Sequence, residues 1–238
     1  GMLGGLLVFM LALMVISVCN GAYKIEANRI LGILIDKSEG YGILMQVRLP
    51  RVLLGVIVGA CLGIAGAAMQ GLFRNPLADP GLIGVTAGAG LGAALWISFG
   101  VTVGATAAQW AITMSAFAGA VIITLAAWGI ANVKHLASTT HLLLAGIALN
   151  SLAGAGIGSL VFISDDEKLR TITFWLMGGL GGSTWPVLAA TAAVALLGVI
   201  IVLPTARSLN LLALGETDAY HLGLDTRSVN LRVIIGST

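Results

Sequence analysis

The sequence predicts an all-α, polytopic membrane helix bundle, and three observations carry that expectation. The chain is 58% hydrophobic and 9% charged, against about 25% charged residues in a soluble domain. Six apolar segments, at 3–19, 52–71, 82–99, 110–131, 141–163 and 187–203, reach or approach the ~20 residues that a helix needs to cross the hydrocarbon core. All five prolines, Pro50, Pro76, Pro80, Pro186 and Pro204, stand at segment edges, where the missing N–H costs a helix little.

The first segment, 3–19, has neither a basic leading region nor an Ala-x-Ala cleavage site, so it reads as a transmembrane helix and not as a signal peptide. Residues 20–47 form a polar stretch carrying Lys24, Glu26, Arg29, Asp36, Lys37 and Glu39. Segments 52–71 and 82–99 are joined by a short stiff turn, Leu72 to Gly81, with Pro76 and Pro80 in it. Residues 100–109 carry no charge, and residues 132–140 form a loop with Lys134 and His135. After 141–163, the triplet Asp165-Asp166-Glu167 reads as a solvated acidic loop. The piece Ile172 to Gly182 is too short to span, which suits an interfacial or re-entrant helix. Residues 205–228 mix leucines with Arg207, Glu216, Asp218, His221, Asp225 and Arg227, and 229–238 reads as the start of a seventh helix.

Small residues recur every four positions at Gly55, Gly59, Gly63, Ala67 and Gly71, at Gly84, Gly88 and Gly92, and at Gly146, Asn150, Gly154 and Gly158. Such spacing lines one helix face and lets neighbouring backbones approach. The net charge of +2 gives no reason to expect a nucleic-acid partner. There is no Gly-x-x-x-x-Gly-Lys-Ser/Thr loop, so nucleotide binding through a P-loop is not expected. Cys19 and Cys61 lie in apolar runs, and His135, His141 and His221 lack metal-ligand spacing. No catalytic residue, cofactor or metal site is expected. The apolar segments hold almost no ionisable residues, which argues against a proton relay or ion-coupled pathway.

Charge leaves the orientation open. With a cytoplasmic N-terminus, Lys24, Arg29, Lys37, Arg48, Arg51, Lys168 and Arg170 lie outside, and Arg74, Lys134, Arg207, Arg227 and Arg232 inside. Seven against five opposes the positive-inside tendency.

Arg48-Leu-Pro-Arg51, followed by Gly66-Ala-Ala-Met-Gln70-Gly-Leu-Phe-Arg-Asn75-Pro-Leu-Ala-Asp-Pro80-Gly-Leu-Ile-Gly84, closely resembles the FecCD/BtuC-type permeases, the membrane subunits of ABC importers for iron–siderophore complexes, haem and vitamin B12. Phe174-Trp-Leu-Met-Gly-Gly-Leu-Gly-Gly182, Leu209-Asn-Leu-Leu-Ala-Leu-Gly-Glu216 and His221-Leu-Gly223 extend the match in order. The resemblance implies the type II ABC importer transmembrane fold, with residues 1–238 as one permease domain. That family has about ten helices, so the last three or so are expected to be missing here. It also implies an ATPase subunit, a periplasmic or lipid-anchored substrate-binding protein, a second permease copy and the lipid of a bacterial inner membrane as partners. The cargo implied is an iron-siderophore-type chelate. An ion-coupled secondary transporter or a non-transporting scaffold is the alternative.

By that resemblance, Arg48 and Arg51 dock the binding protein, presenting forks suited to carboxylates; otherwise they anchor a helix at the headgroups. The coupling segment 205–228 seats Leu209, Asn210, Leu211, Leu212, Leu214, Gly215 and Glu216 on the ATPase, or lies as an amphipathic helix on the bilayer. The turn Arg74, Asn75, Pro76, Asp79 and Pro80 faces the cytoplasm. It either touches the ATPase or serves structure alone, with Asn75 and Asp79 satisfying turn N–H groups. Asn150, Ser151 and Gly154 are candidates to edge the translocation pathway, with an interhelical hydrogen bond as the other reading of Asn150.

Overall fold

The computed structural model describes residues 1–21, 23, 25–26, 30–101, 103–132 and 139–238. Lys24, Arg29, Lys134 and His135 lie outside them. The described residues are helical throughout their ordered elements and contain no strand. Among the described residues, five helical runs are long and apolar enough to cross a membrane: Met2–Cys19, Ile43–Phe73, Ala105–Ala131, Thr139–Ile163 and Trp185–Leu212. The chain divides into two compact units, one of Gly1–Cys61 with Gly179–Ala195, the other of Leu62–Gly178 with Leu196–Thr238.

In the first unit, α1 (Met2–Cys19) carries no charge and is exposed along most of its length, from Leu3 at 80% to Ile16 at 54%. Apolar surface of that kind is solvated by lipid, not water. Only its end packs, where Val18 joins Ile25, Ile33 and Leu44. The seven-residue α2 (Ile30–Asp36) follows. A π-helical stretch, Ile43–Arg48, then runs without a break into α3 (Leu49–Phe73). The expected segment 52–71 therefore begins about two turns too late.

Pro50 explains the π-helical stretch. A proline inside a helix removes one donor and crowds the preceding turn. Widening that turn shifts the hydrogen bonds to five-residue spacing, and Leu49 donates to the Leu44 carbonyl accordingly. The Met45 carbonyl is then left facing Pro50, which has no N–H. The indole N–H of Trp185 supplies the missing donor at 2.9 Å. Trp185 opens α8 (Trp185–Val202).

The second unit is built on α4 (Val85–Phe99), α5 (Ala105–Ala131) and α6 (Thr139–Ile163). Its core joins Met69, Leu72, Ile83, Ala127, Leu142, Leu212, Ala219, Val233 and Ile234. The expected span 82–99 is corrected here. A 3-10 turn, Pro80–Ile83, precedes it, and Gly84 with φ 100° breaks it from α4. The remaining 15 residues of α4 make a helix of about 22 Å, short of the ~30 Å hydrocarbon core.

The acidic triplet is also corrected. Asp165 caps α7 (Asp166–Met177) by accepting from the Lys168 N–H at 2.9 Å, with Asp166 and Glu167 in the first turn. Carboxylates there are favoured by the helix dipole, so the sequence signal was a helix start. The helix ends at Gly178 (φ 71°) and does not run to Gly182. Ile172 seats it against Ala94 and Leu160, and the Lys168 ammonium donates to the Ser98 carbonyl at the end of α4, 3.0 Å away.

Pro204 does not end the run that contains it. A 3-10 turn, Leu203–Thr205, carries α8 into α9 (Ala206–Leu212), because a proline at the first turn forfeits no needed donor. The short α10 (Glu216–His221) and the twelve-residue α11 (Thr226–Ser237) follow, the latter capped by Asp225 accepting from Ser228 at 3.2 Å.

Candidate functional site

The arginine motif does not present two outward forks. Arg48 is 8% exposed, and its guanidinium donates to the carbonyl oxygens of Val18 and Tyr23. Gly21 lies against the same guanidinium, where a side chain would collide. The backbone that follows α1 thus holds the Arg48 guanidinium. Arg51, one helical turn on, is exposed and makes a long contact with the Gly181 carbonyl, 3.5 Å.

The turn after α3 is built as its residue types suggest. Arg74 adopts φ 50°, and the Asn75 N–H reaches back to the Gln70 carbonyl at 3.1 Å. This is the Schellman closure of a helix, which ordinarily places glycine where Arg74 stands. Asn75 Oδ1 accepts from the Leu77 N–H at 2.9 Å, and Asp79 Oδ1 from the Gly81 N–H at 2.5 Å. Arg74, Asn75, Pro76 and Asp79 are exposed, and Pro80 is half-buried.

The segment expected to couple is a pair of short helices. Gly215, with φ 129° and ψ 149°, separates α9 from α10 in a conformation open essentially only to glycine. Gly223, φ 85°, closes α10, with the Leu224 N–H bonded to the Ala219 carbonyl at 3.0 Å. Leu212 and Ala219 anchor the pair, at 2% and 0% exposure. Leu209 packs on Gly71, 3.4 Å from where its Cβ would stand. Leu209 and Leu212 therefore serve this chain's own core and offer little contact area to another subunit. Asn210, Leu211 and Leu214 are the exposed members, while the side chain of Glu216 lies outside what the structure describes. A Cβ at Gly215 would stand 3.6 Å from Asp218 Oδ2 and 3.9 Å from an Arg74 guanidinium nitrogen. The turn after α3 and the α9–α10 pair thus meet at Gly215.

On α6 the candidates separate. Asn150 is half-buried and donates to the carbonyls of Gly81 at 2.8 Å and Leu82 at 3.5 Å. Ser151 is exposed and bonds the Ile147 carbonyl of its own helix at 3.0 Å, and Gly154 is exposed with open space about it. The small-residue repeats separate likewise. Gly88 meets the backbone of Gly119, Gly92 that of Ser115, and Gly146 the Leu82 carbonyl, whereas Gly59 and Gly63 have nothing within 4 Å among the described residues.

Trp185 was missed at the sequence level. Its signal was present: Pro50 inside a helical run orphans a carbonyl, and a tryptophan N–H needs an acceptor. Among the described residues, no group of three or more His, Cys, Asp or Glu is arranged to hold a metal ion.

Long apolar helices with lipid-compatible surfaces define a multi-pass membrane protein, and comparison with known proteins gives the class within it. The model of the FecCD transport family matches residues 8–238, and the chain belongs to that family. It is 41% identical over 239 residues to the hemin transport system permease protein HmuU of Yersinia pestis, covering 98% of this chain and 70% of that protein. It is 41% identical over 223 residues to the vitamin B12 import system permease BtuC of Klebsiella pneumoniae, covering 92% and 63%. A cobalamin import permease of Halobacterium salinarum is 39% identical over 194 residues, covering 80% and 50%. The chain thus spans half to about 70% of the length of these relatives. A solved metal-chelate type ABC transporter in an inward-facing conformation superimposes with a TM-score of 0.83 at 33% identity, covering 99% of this chain and 72% of that one.

Proposed function

We propose that the protein is a membrane-spanning permease subunit of an ABC importer. It passes a metal chelate of the iron-siderophore class across a bacterial inner membrane, powered by ATP hydrolysis in a separate subunit, and works with a second permease copy and a substrate-binding protein. The observation that carries the reading is the α9–α10 pair, which continues directly from a membrane-length run and meets the turn after α3 at Gly215. Its inner side is anchored by Leu212 and Ala219, while Leu211 and Leu214 stand exposed at 37% and 63%. An element fixed on one side, with leucines among polar residues such as Asn210 and Asp218 on the other, suits docking in a groove of a partner. Relatives named for hemin and vitamin B12, and a structural relative of metal-chelate type, support a metal chelate as cargo; the iron-siderophore class within it is what the family resemblance of the motifs implies.

Within that reading, Gly215 lets α10 turn back, Leu211, Leu214, Asn210 and Glu216 form the ATPase contact, and Leu209 and Leu212 hold it in place. Arg51 supplies the binding-protein contact, and Arg48 fixes the segment from which it projects. Exposed ion pairs stabilise by about 0–1 kcal/mol, so Arg51 acts on encounter and register more than on affinity. Ser151 and Gly154 remain the pathway candidates.

The test is reconstitution of the full-length permease with its ATPase and binding protein in proteoliposomes, offered ferric siderophore, hemin and cobalamin. ATP-dependent accumulation of a ferric siderophore is the expected result. Accumulation driven by a proton or sodium gradient with no ATPase present would refute the function. ATP-dependent uptake of hemin or cobalamin alone would refute the cargo.

A further inference from the structure

The Pro80–Ile83 turn is fixed from three sides. Asp79 caps its start by accepting from the Gly81 N–H. At its end Gly84 takes φ 100°, with Ile123 of α5 occupying the place of a side chain. From α6, Asn150 donates to the Gly81 and Leu82 carbonyls. One helical turn earlier Gly146 lies against the Leu82 carbonyl and the Ile83 Cα, in the space that a Cβ would fill. The surroundings are apolar: Ile83 is 0% exposed, Leu142 2% and Ala145 6%. Within the turn the Gly84 N–H already bonds the Gly81 carbonyl at 3.1 Å, which has a second lone pair to offer; the Leu82 carbonyl is given no such backbone donor among the described residues. The Asn150 amide is therefore a second donor to Gly81 and reaches Leu82 at 3.5 Å, tying the turn to α6 across the packed Gly146 contact.

We propose that Asn150 is a positioning residue that locks the Pro80–Ile83 turn to the middle of α6. The turn that begins at Arg74 and the exposed α6 face carrying Ser151 and Gly154 then move as one body. A displacement imposed on the turn is delivered to α6 without loss in between. This rests on the chain being a permease driven through that turn. It also gives Asn150 a role other than facing the cargo, since its donors are spent on backbone.

The experiment uses the full-length permease assembled with its ATPase in lipid. Nitroxide labels go on Leu77→Cys and Leu152→Cys, which are 84% and 67% exposed, with Cys19 and Cys61 replaced by serine. The label–label distance is measured by pulsed dipolar spectroscopy with and without nucleotide. The expected result is one narrow distance, unchanged between the two states. Asn150→Asp keeps the shape and turns an oxygen toward the two carbonyls; Asn150→Leu removes the donor. Both should broaden the distance and make it nucleotide-dependent. Cargo moved per ATP should fall by up to about tenfold, the upper end of what one lost hydrogen bond is worth, while hydrolysis continues. A wild-type distance that shifts with nucleotide overturns the proposal even if both variants fail to accumulate. So does undiminished cargo per ATP in either variant. A wild type that neither binds an ATPase nor transports removes the proposed function and this inference with it, whereas a transporting wild type with shifting labels removes this inference alone.

Discussion

Two glycine repeats with the same four-residue spacing respond oppositely to the same methyl group. In Gly88→Ala the new carbon would stand 2.5 Å from the Gly119 carbonyl oxygen and 2.9 Å from the Ile123 Cβ. Ordinary carbon–oxygen contacts begin at about 3.3 Å, so α4 and α5 must separate by something under an ångström. The obstructing oxygen is backbone, which no rotamer change can move aside. Overpacking costs about 1–3 kcal/mol, and a backbone obstacle puts this site at the upper end. The gain from replacing a helical glycine, ~1 kcal/mol, leaves a net loss of about 2 kcal/mol. Gly63→Ala meets nothing within 4 Å, so only that gain applies, and stability holds or rises by up to ~1 kcal/mol. Denaturant unfolding of the isolated full-length protein in detergent measures both. The expected gap of about 2–3 kcal/mol corresponds to roughly 30- to 150-fold in the unfolding equilibrium. Equal losses from the two variants would refute the assignment of the 84–88–92 face as packed and the 59–63 face as open.

Trp185→Phe removes the N–H that serves the Met45 carbonyl, and a loss of about 0.5–1.5 kcal/mol should appear in the same unfolding assay. Arg74→Gly relieves a left-handed conformation, so stability should rise by about 1 kcal/mol; if ATPase co-purification falls at the same time, the guanidinium is part of the contact. Leu214→Asp alters an exposed side chain, so unfolding should change by less than about 0.5 kcal/mol while ATPase association drops. Leu212→Ala, at a site 2% exposed, should instead cost about 2–5 kcal/mol whether or not the ATPase is present.

Much of the architecture was legible because its causes are local. Hydropathy marked five of the six expected segments, since lipid demands long apolar helices. Asn75 and Asp79 were assigned to turn N–H groups from residue type alone, and both make those bonds. The errors arose where a local signal has two meanings. Asp165 to Glu167 read as a loop because acidic residues favour water, yet the same residues cap helices. Pro50 and Pro204 read as boundaries, yet a π-helical stretch with Trp185 behind it absorbs the first and a 3-10 turn absorbs the second.

What the sequence by itself determined is the environment and the lineage: an all-helical membrane protein whose motifs resemble one permease family. Those properties depend on composition and on residue order along the chain. What only the tertiary structure decided is how individual side chains are employed. Arg48 and Arg51 are three residues apart in one motif, yet one is buried on the carbonyls of Val18 and Tyr23 and the other is exposed. Leu211 and Leu212 are adjacent, yet one is exposed at 37% and the other buried at 2%. Asn150 finds its acceptors nearly seventy positions earlier, at Gly81 and Leu82. A polar or apolar group bonds to whatever the fold brings within about 3–4 Å of it, and that neighbourhood is set by packing between segments distant in the chain.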